Sequence, residues 1–503
     1  MKQLQSLDTK KSVGLDGISL RFLRDGAVVI TEPISHLINL SSTTETVPNS
    51  MKQARVVPIF KKGSKLDAGN YRPVSILGSL SKILERAVHG QLKEYLERRN
   101  LIYQNQSGFR GGFSTDTCLI GLTDFVKGEM GKGKLVGMVL LDLQKAFDMV
   151  NHDIMIEKLR AIGVNSTDWF RSYLTGRQQT VDVNGKHSSF LDVTCGVPQG
   201  LILGPLLFLL YVNDMQISVS CKLVLYADDS ALIFSHTDWR IIQETLSSEL
   251  GNCHRWLLDN KLSLHVGKTE SIVFGTSRRL GSIGDFQVEC GGTSVGRVKS
   301  VTYLGVHLDE NMNGRKHAED VIKKCAGRMS FLYRKAAFLD FNCRKLLTSA
   351  LIQPYLDYCS SSWYEGVAKL LKTKFDTLQR RMVRFIHSKG PMEHIGLGDL
   401  GALSWLSVPD RVRFFRLLHV FRIRSGLSPP YLLDNFTPLR SVHAYGTRGS
   451  VHDFHVSKEI SLSHSSFAYN AVSNWNALPD SLKGIQSLAV FKSKLKHYLL
   501  SRY

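Results

Sequence analysis

Cys221-Lys-Leu-Val-Leu-Tyr-Ala-Asp-Asp-Ser-Ala-Leu-Ile-Phe-Ser235 is the stretch from which the fold of this 503-residue chain can be read. Two short apolar runs, Leu223 to Tyr226 and Ala231 to Phe234, are rich in strand formers and flank Asp228 and Asp229. Adjacent carboxylates repel each other, and burying even one uncompensated charge is expensive. At a hairpin tip the pair is tolerable if it holds a divalent cation. Mg²⁺ takes oxygens from one or two carboxylates and completes its shell with water and phosphate. The plain alternative is a polar hairpin turn, because Asp-Asp is an ordinary turn dipeptide.

A further carboxylate bears on that choice. Lys134-Leu-Val-Gly-Met-Val-Leu-Leu-Asp-Leu143 is a nearly continuous apolar run with Asp142 near its end. That is the pattern of a strand buried on both faces. Asp142 and the Asp228–Asp229 pair, brought together at neighbouring strand ends, would clamp two metals. Two metals roughly 3.5–4 Å apart activate an attacking oxygen and stabilise a leaving one in phosphoryl transfer.

Three ordered motifs then carry a resemblance. Tyr226-Ala-Asp-Asp229, Asp142 with Phe147-Asp148, and Gly196-Val-Pro-Gln-Gly200 resemble motifs C, A and B of reverse transcriptases. Phe147-Asp-Met-Val-Asn-His152 and Ile202-Leu-Gly-Pro-Leu-Leu-Phe208 resemble the non-LTR (LINE-like) retrotransposons of the jockey and chicken-repeat kind. The resemblance implies an α+β right-hand polymerase with fingers, a ferredoxin-like palm, a helical thumb and a mostly helical C-terminal extension. It places the fingers and entry segment at 1–130, the palm at 131–310, the thumb at 311–395 and the extension at 396–503. The implied activity is that of an RNA-directed DNA polymerase, which adds dNTPs to a primer 3′ end. The implied partners are an RNA template, a DNA primer and the RNA–DNA duplex.

The same resemblance assigns roles to residues. Asp142, Asp228 and Asp229 hold two Mg²⁺ ions, with Mn²⁺ as the substitute, and are catalytic. Lys61 and Arg72 bind the triphosphate from a fingers hairpin. Phe147 lies under the sugar and selects dNTP over rNTP, and Gln199 reaches the nucleotide or template. Lys268, in the motif-D-like Lys261-Leu-Ser-Leu-His-Val-Gly-Lys-Thr269, is the acid for the leaving pyrophosphate. Gln106 and Arg110, in a motif-2-like Gln106-Ser-Gly-Phe-Arg110, touch template or phosphate or else serve a structural role in the fingers. Lys324 and Arg328 lie along the duplex backbone. Two departures stand out: His265 replaces the family's more frequent Asn, and Leu201 replaces its small polar residue, typically Ser. A bulky side chain at 201 would crowd the template–nucleotide pair. The chain has no room for the endonuclease that precedes this segment in such elements, so the priming cut is expected from another protein. The rival reading is a catalytically inactive remnant that only binds nucleic acid.

Composition agrees with a polyanionic partner. Lys+Arg 64 against Asp+Glu 44 leaves a net charge of +20, which also suits ribosome-like or membrane-surface binding. The 8 cysteines form no Cys-x-x-Cys pair, which excludes a zinc ribbon or disulfide scaffold and points to a reducing compartment. No signal peptide is visible at the polar start. The longest apolar run, Leu201 to Val212, is too short to span a bilayer and reads as buried core. The resemblance implies an intracellular ribonucleoprotein, nuclear and cytoplasmic, and no membrane contact is expected.

Periodicity supplies the scaffold. Arg55 to Gly63 and Asn70 to Ser75 read as a hairpin that projects Lys61, Lys62 and Arg72 to one side. Leu80, Leu84, Ala87 or Val88, Leu92 and Tyr95 or Leu96 give helical spacing closed by Asn100. Ile154 to Ile162 is a helix behind the first strand. Trp239, Ile242, Leu246, Leu250, Cys253 and Leu257 mark an amphipathic helix, and Glu270 to Phe274 a closing strand. Val301 to Val306 resembles a primer-grip hairpin. Helices are predicted over 317–336, with Val321, Cys325, Met329 and Leu332 inward and Lys324, Arg328 and Lys335 outward, and over 378–387, 409–424 and 491–500.

Overall fold

The computed structural model describes residues 1–442, 452–456 and 463–503. Its strands in chain order are β1 (Gln53–Phe60), β2 (Tyr71–Leu77), β3 (Leu135–Leu141), β4 (Arg177–Val183), β5 (Lys186–His187), β6 (Leu191–Val193), β7 (Lys222–Tyr226), β8 (Asp229–His236), β9 (Glu270–Phe274), β10 (Gln287–Cys290), β11 (Thr293–Gly296), β12 (Ser300–Tyr303) and β13 (Val306–Asp309). Two compact units result. One comprises Met1–Phe109, Asp142–Ser220 and Gly251–Val266; the other comprises Arg110–Leu141, Cys221–Leu250 and Gly267–Tyr503.

In the first unit β1 and β2 form the predicted hairpin, in register from Ala54↔Leu77 to Phe60↔Tyr71. The polar β4, which the sequence does not signal, lies parallel to β1 from Gln53↔Gln178 to Val56↔Val181. The helix Ser79–Arg98 buries Ile83, Leu84, Leu92 and Leu96, close to the predicted stripe. Asn100 ends it at φ +51°, a conformation Asn tolerates better than most residues. The apolar run becomes the helix Leu203–Tyr211, with Leu203, Leu207, Phe208 and Tyr211 wholly buried. A helix apolar on every side belongs in a core.

The second unit holds a four-stranded sheet in the order β7-β8-β3-β9. All its pairings are antiparallel. Numbered along the chain this is 2-3-1-4, the ferredoxin-like arrangement the sequence predicts. β9 spans the predicted residues. Gly137 on β3 has no side chain for a packing reason: a Cβ there would come within 2.3 Å of Ile242 and 2.6 Å of Leu246. The helix Arg315–Arg334 buries Val321, Cys325, Met329 and Leu332 as predicted. Lys369–His387 is longer than its predicted C-terminal half, and Val408–Arg424 and Leu488–Leu500 lie close to prediction. Phe421 and Phe491 stack at 4.6 Å in a core that also buries Trp475.

One helix of this unit, Thr115–Gly131, carries charges into the interior. Asp124 accepts the N–H groups of Phe467 (2.6 Å) and Ala468 (2.8 Å), and so caps the helix Phe467–Asn476 from far along the chain. Lys127 donates to the carbonyl of Ser465 at 2.8 Å. Burial raises the Asp124 carboxyl to about 6, against the attraction of Lys127. Burial likewise lowers Lys127.

Candidate active site

The carboxylate hairpin belongs to the second unit. Tyr226↔Asp229 is the last pair of β7 and β8, so Ala227 and Asp228 form a two-residue turn. Ala227 sits at φ +57°, a left-handed conformation that costs a residue with a Cβ about 1–2 kcal/mol. Asp228 and Asp229 are exposed, and Leu225, Ser230 and Ala231 directly behind them are buried. In the neighbouring strand Leu141 faces Ser230 across the ladder. Asp142 is the residue after Leu141, and Asp229 the one before Ser230. Among the described residues no three His, Cys, Asp or Glu side chains gather into a cage. The donors here are hard carboxylate oxygens, which suit Mg²⁺ because water and phosphate complete its shell.

Lys61, Arg72, Phe147 and Gln199 all fall in the first unit. Arg72 stands opposite Ile59, and the Lys61 N–H continues the ladder to the carbonyl of Asn70 at 2.8 Å. Alternation along a strand therefore puts Lys61 and Arg72 on one face, both exposed. Burial raises the nearby Asp148 carboxyl, against the pull of Lys145 and Lys61. Phe147 lies in the 3₁₀ turn Ala146–Met149 and stacks on Phe208 at 4.2 Å and 18°. Phe208 is wholly buried, so the Phe147 ring rests on a fixed wall. Phe109, at φ +54° and exposed, meets it edge-on at 6.2 Å.

The Gly196–Gly200 turn is pinned from several sides. Gly196 N–H donates to Val150 O and Val197 N–H to Phe147 O, both at 2.8 Å. Gly196 is required, since at φ +86° a Cβ would stand 2.7 Å from the Asp148 carbonyl. Ser75 N–H donates to the Gln199 carbonyl at 2.7 Å. Past the turn, Ile202 N–H donates to Glu85 at 2.7 Å. The Tyr173 hydroxyl donates to the other Glu85 oxygen at 2.7 Å, and Arg177 donates to the Tyr173 carbonyl at 3.0 Å. Burial raises the Glu85 carboxyl, opposed by these hydrogen bonds. Sequence reasoning misses Glu85. Its one signal is a carboxylate directly beside Leu84 of the apolar stripe.

Two expectations are corrected. Leu201 is only 5% exposed and packs inside its own unit, so its side chain is not presented to an open site. Gln106 is 1% exposed and accepts the Gly108 N–H at 2.8 Å. It shapes its loop from within and offers no surface to a template. The remaining candidates are dispersed. In the second unit Arg110 lies over the Phe113 ring at 4.0 Å, and Lys268 is exposed at the end of the 3₁₀ turn Val266–Lys268. Lys324 pairs with Asp320 at 2.7 Å. Arg328 donates to the Tyr355 hydroxyl at 2.5 Å, 4.8 Å from its ring centre.

Residues 59–308 match the family described as reverse transcriptase (RNA-dependent DNA polymerase). A probable RNA-directed DNA polymerase from transposon BS of Drosophila melanogaster is 28% identical over 409 residues, 77% of this chain and 44% of the relative. The RNA-directed DNA polymerase from mobile element jockey of Drosophila funebris is 28% identical over 408 residues, 77% and 43% of the two chains. The chain thus spans less than half the length of these curated relatives. The structure of apo telomerase from Candida tropicalis shares 12% identity at a TM-score of 0.39, covering 76% of this chain and 72% of that one. The fold class rests instead on the family match and the ferredoxin-like sheet: it is that of a right-hand polymerase. No helix among the described residues is long and apolar enough to cross a membrane.

Proposed function

Because residues 59–308 are a reverse-transcriptase domain of the non-LTR retrotransposon kind, we propose that this chain copies RNA into DNA by adding dNTPs to a primer 3′ end. The observation that carries the reading is the strained Ala227–Asp228 turn on a ferredoxin-like sheet, which presents an exposed carboxylate at a hairpin tip. Members of the family depend on divalent metal. Here Asp142 and Asp228 would hold two Mg²⁺ ions, assisted by Asp229. When bound, the metals make the primer hydroxyl a better nucleophile and neutralise charge in the transition state.

The chain's own side chains supply the rest. Lys61 and Arg72, on one face of the β1–β2 hairpin, bind the triphosphate: Arg as a rigid fork, Lys as a mobile charge. Phe147, held from behind by Phe208, fills the space a 2′-hydroxyl needs. Gln199, its carbonyl fixed by Ser75, faces the nucleotide or template. Lys268 gives a proton to the departing pyrophosphate. Arg110, Lys324 and Arg328 contact template and duplex. Fingers at 1–130, palm at 131–310, thumb at 311–395 and a C-terminal extension at 396–503 are the functional divisions. The setting is a ribonucleoprotein with access to nucleus and cytoplasm, primed from a nick made by an endonuclease.

Primer extension on an RNA template with Mg²⁺ and dNTPs tests the reading. The chain should extend the primer, and Phe147→Val should admit rNTPs with dNTP incorporation retained. Binding without extension would leave the inactive-remnant reading standing. Extension with unchanged sugar selection would remove Phe147 from the pocket.

A further inference from the structure

The helix Arg315–Arg334 and the turn after it carry a feature that a charged helix does not need. Lys324, Arg328, Phe331 and Lys335 are spaced four, three and four residues apart and so share one face. Phe331 on that face is 48% exposed, and Phe338, just beyond it, is 84% exposed. Water-exposed rings of this size among cations are unfavourable for the isolated protein.

The backbone that carries the Phe338 ring is also fixed on either side of it. It lies in the short 3₁₀ turn Ala336–Phe338. Arg344 donates to the Ala336 carbonyl at 2.8 Å, to the Leu339 carbonyl at 2.9 Å and to the Phe385 carbonyl at 3.1 Å. One guanidinium thus clamps both ends of the turn to the helix Lys369–His387. The nearest acid in sequence, Asp340, is engaged in capping the helix Phe341–Leu351 through the Cys343 N–H at 2.7 Å.

We propose that Phe331 and Phe338, with Lys335 between them, form a stacking platform for a single-stranded nucleic acid. Phosphates alone would call for cations alone, because a ring gains little from a duplex backbone. A single strand offers both a charged backbone and unpaired base faces. Rings interleaved with cations suit that combination, and the binding is tolerant of sequence because every base has a π-face. From Lys324 to Lys335 the helix advances about 16 Å, at 1.5 Å per residue. That is room for a few unstacked or stacked nucleotides. This surface rests on the reading of the chain as a nucleic-acid polymerase for its biological setting, but its contacts involve none of the carboxylates.

The test is equilibrium binding of the full chain to a 12-nucleotide oligouridylate and to an RNA–DNA duplex of the same length, at one fixed salt concentration. Phe338→Ala should weaken single-strand binding about tenfold, and Phe331→Ala with Phe338→Ala more, with duplex binding changed less than twofold. Phe338→Trp should retain single-strand affinity, and its fluorescence should be quenched as bases stack on it. Lys335→Ala should weaken both ligands and lower the salt slope by about 0.7 for the single strand. Unaltered single-strand affinity in the double variant overturns the proposal, as does equal loss for the duplex. A change of oligomeric state in Phe338→Ala, read by light scattering, would assign the rings to contact between copies instead. Asp228→Asn protein, measured in parallel, should bind the single strand normally. Loss of extension with retained stacking thus separates failure of the polymerase reading from failure of this one.

Discussion

Two hairpins of the second unit turn on left-handed residues, and they differ in what stands at the tip. In the β12–β13 hairpin Leu304 has φ +46° and Gly305 φ +79°. Positive φ at both central positions is the arrangement that suits the strand twist, and glycine takes the second position without strain. The tip is braced from one side: the Tyr358 hydroxyl donates to the Leu304 carbonyl at 2.8 Å and the Leu304 side chain packs on the core, while Gly305 is exposed. In the β7–β8 hairpin Ala227 is the left-handed residue, and the next position holds an exposed carboxylate, Asp228. Each turn holds one left-handed residue with a Cβ, Leu304 in the first and Ala227 in the second. The first turn is braced by Tyr358 and completed by glycine; the second is completed by an exposed carboxylate.

The largest expected break in this contrast is at Asp228. Asp228→Asn should lower dNTP incorporation by about 10³-fold or more, because a charged group acting on the transition state is lost. Its thermal melting should be unchanged, since the side chain is exposed. Incorporation near the wild-type rate would place the chemistry elsewhere.

Leu201 extends the contrast to a third turn. Leu201→Ser should destabilise the chain by about 2–5 kcal/mol, because a buried leucine is removed. It should not raise incorporation per folded molecule. Denaturant unfolding beside single-nucleotide kinetics checks both, and faster turnover would return Leu201 to the substrate side.

The β12–β13 hairpin has a pH signature. The His307 N–H donates to His317 Nδ1 at 3.3 Å, and Trp363 meets the His317 ring edge-on at 4.8 Å. Burial, reinforced by His307 and by Lys324 against the opposing pull of Asp320, lowers His317 to about 4. A histidine that is harder to protonate when folded contributes stability above its unfolded value near 6.5. That contribution is lost as pH falls toward 4, by about 2–3 kcal/mol. Urea unfolding at pH 7 and pH 4.5 should show the loss, and His317→Gln should diminish it.

The smallest effects compare the turns directly. Gly305→Ala should cost about 1–2 kcal/mol, since a left-handed position would then carry a Cβ, one that stands 3.3 Å from Tyr358. Ala227→Gly should be neutral or stabilise by up to about 1 kcal/mol, as relief of strain is partly offset by unfolded-state entropy. It should also reduce incorporation by freeing Asp228. Equal melting shifts in the two variants would erase the distinction.

Sequence legibility follows the range of the forces involved. The sheet was readable because β3, β7, β8 and β9 are apolar runs whose pattern reflects only their own burial. The helix Arg315–Arg334 was readable for the same reason at a period of 3.6. The helix Thr115–Gly131 was not, because Asp124, Lys127 and Glu129 break its apolar stripe. Their partners include Ser465 and Phe467 far along the chain, and Lys134 and Ser235 for Glu129. Polar β4 is similarly silent, since its pairing with β1 is made by backbone groups. At the site, residue types and order single out Lys61, Arg72, Asp142, Phe147, Gln199 and Asp228 as candidates, and of these the exposed Lys61 and Arg72 share one hairpin face. Glu85 is marked only by its place beside Leu84 of the apolar stripe, and its carboxylate answers amide and hydroxyl donors more than eighty residues away. For Gln106 and Leu201 the alternatives stay open in the sequence, because a motif gives a residue's place in line and not the direction of its side chain; both side chains are buried.

The tie between Asp124 and the N–H groups of Phe467 and Ala468 also sets a timetable. A ribosome delivers Asp124 and Lys127 long before the 343 later residues that bring Phe467 into reach. At about 5–20 residues per second that interval is roughly 17–70 s. Until then two charges destined for the interior have no interior to enter, and the helix that carries them must stay wet. The second unit can therefore close only once residues 467 and 468 have been made, and a chain that stops short of them carries the β7–β8 hairpin without the helix that Asp124 caps.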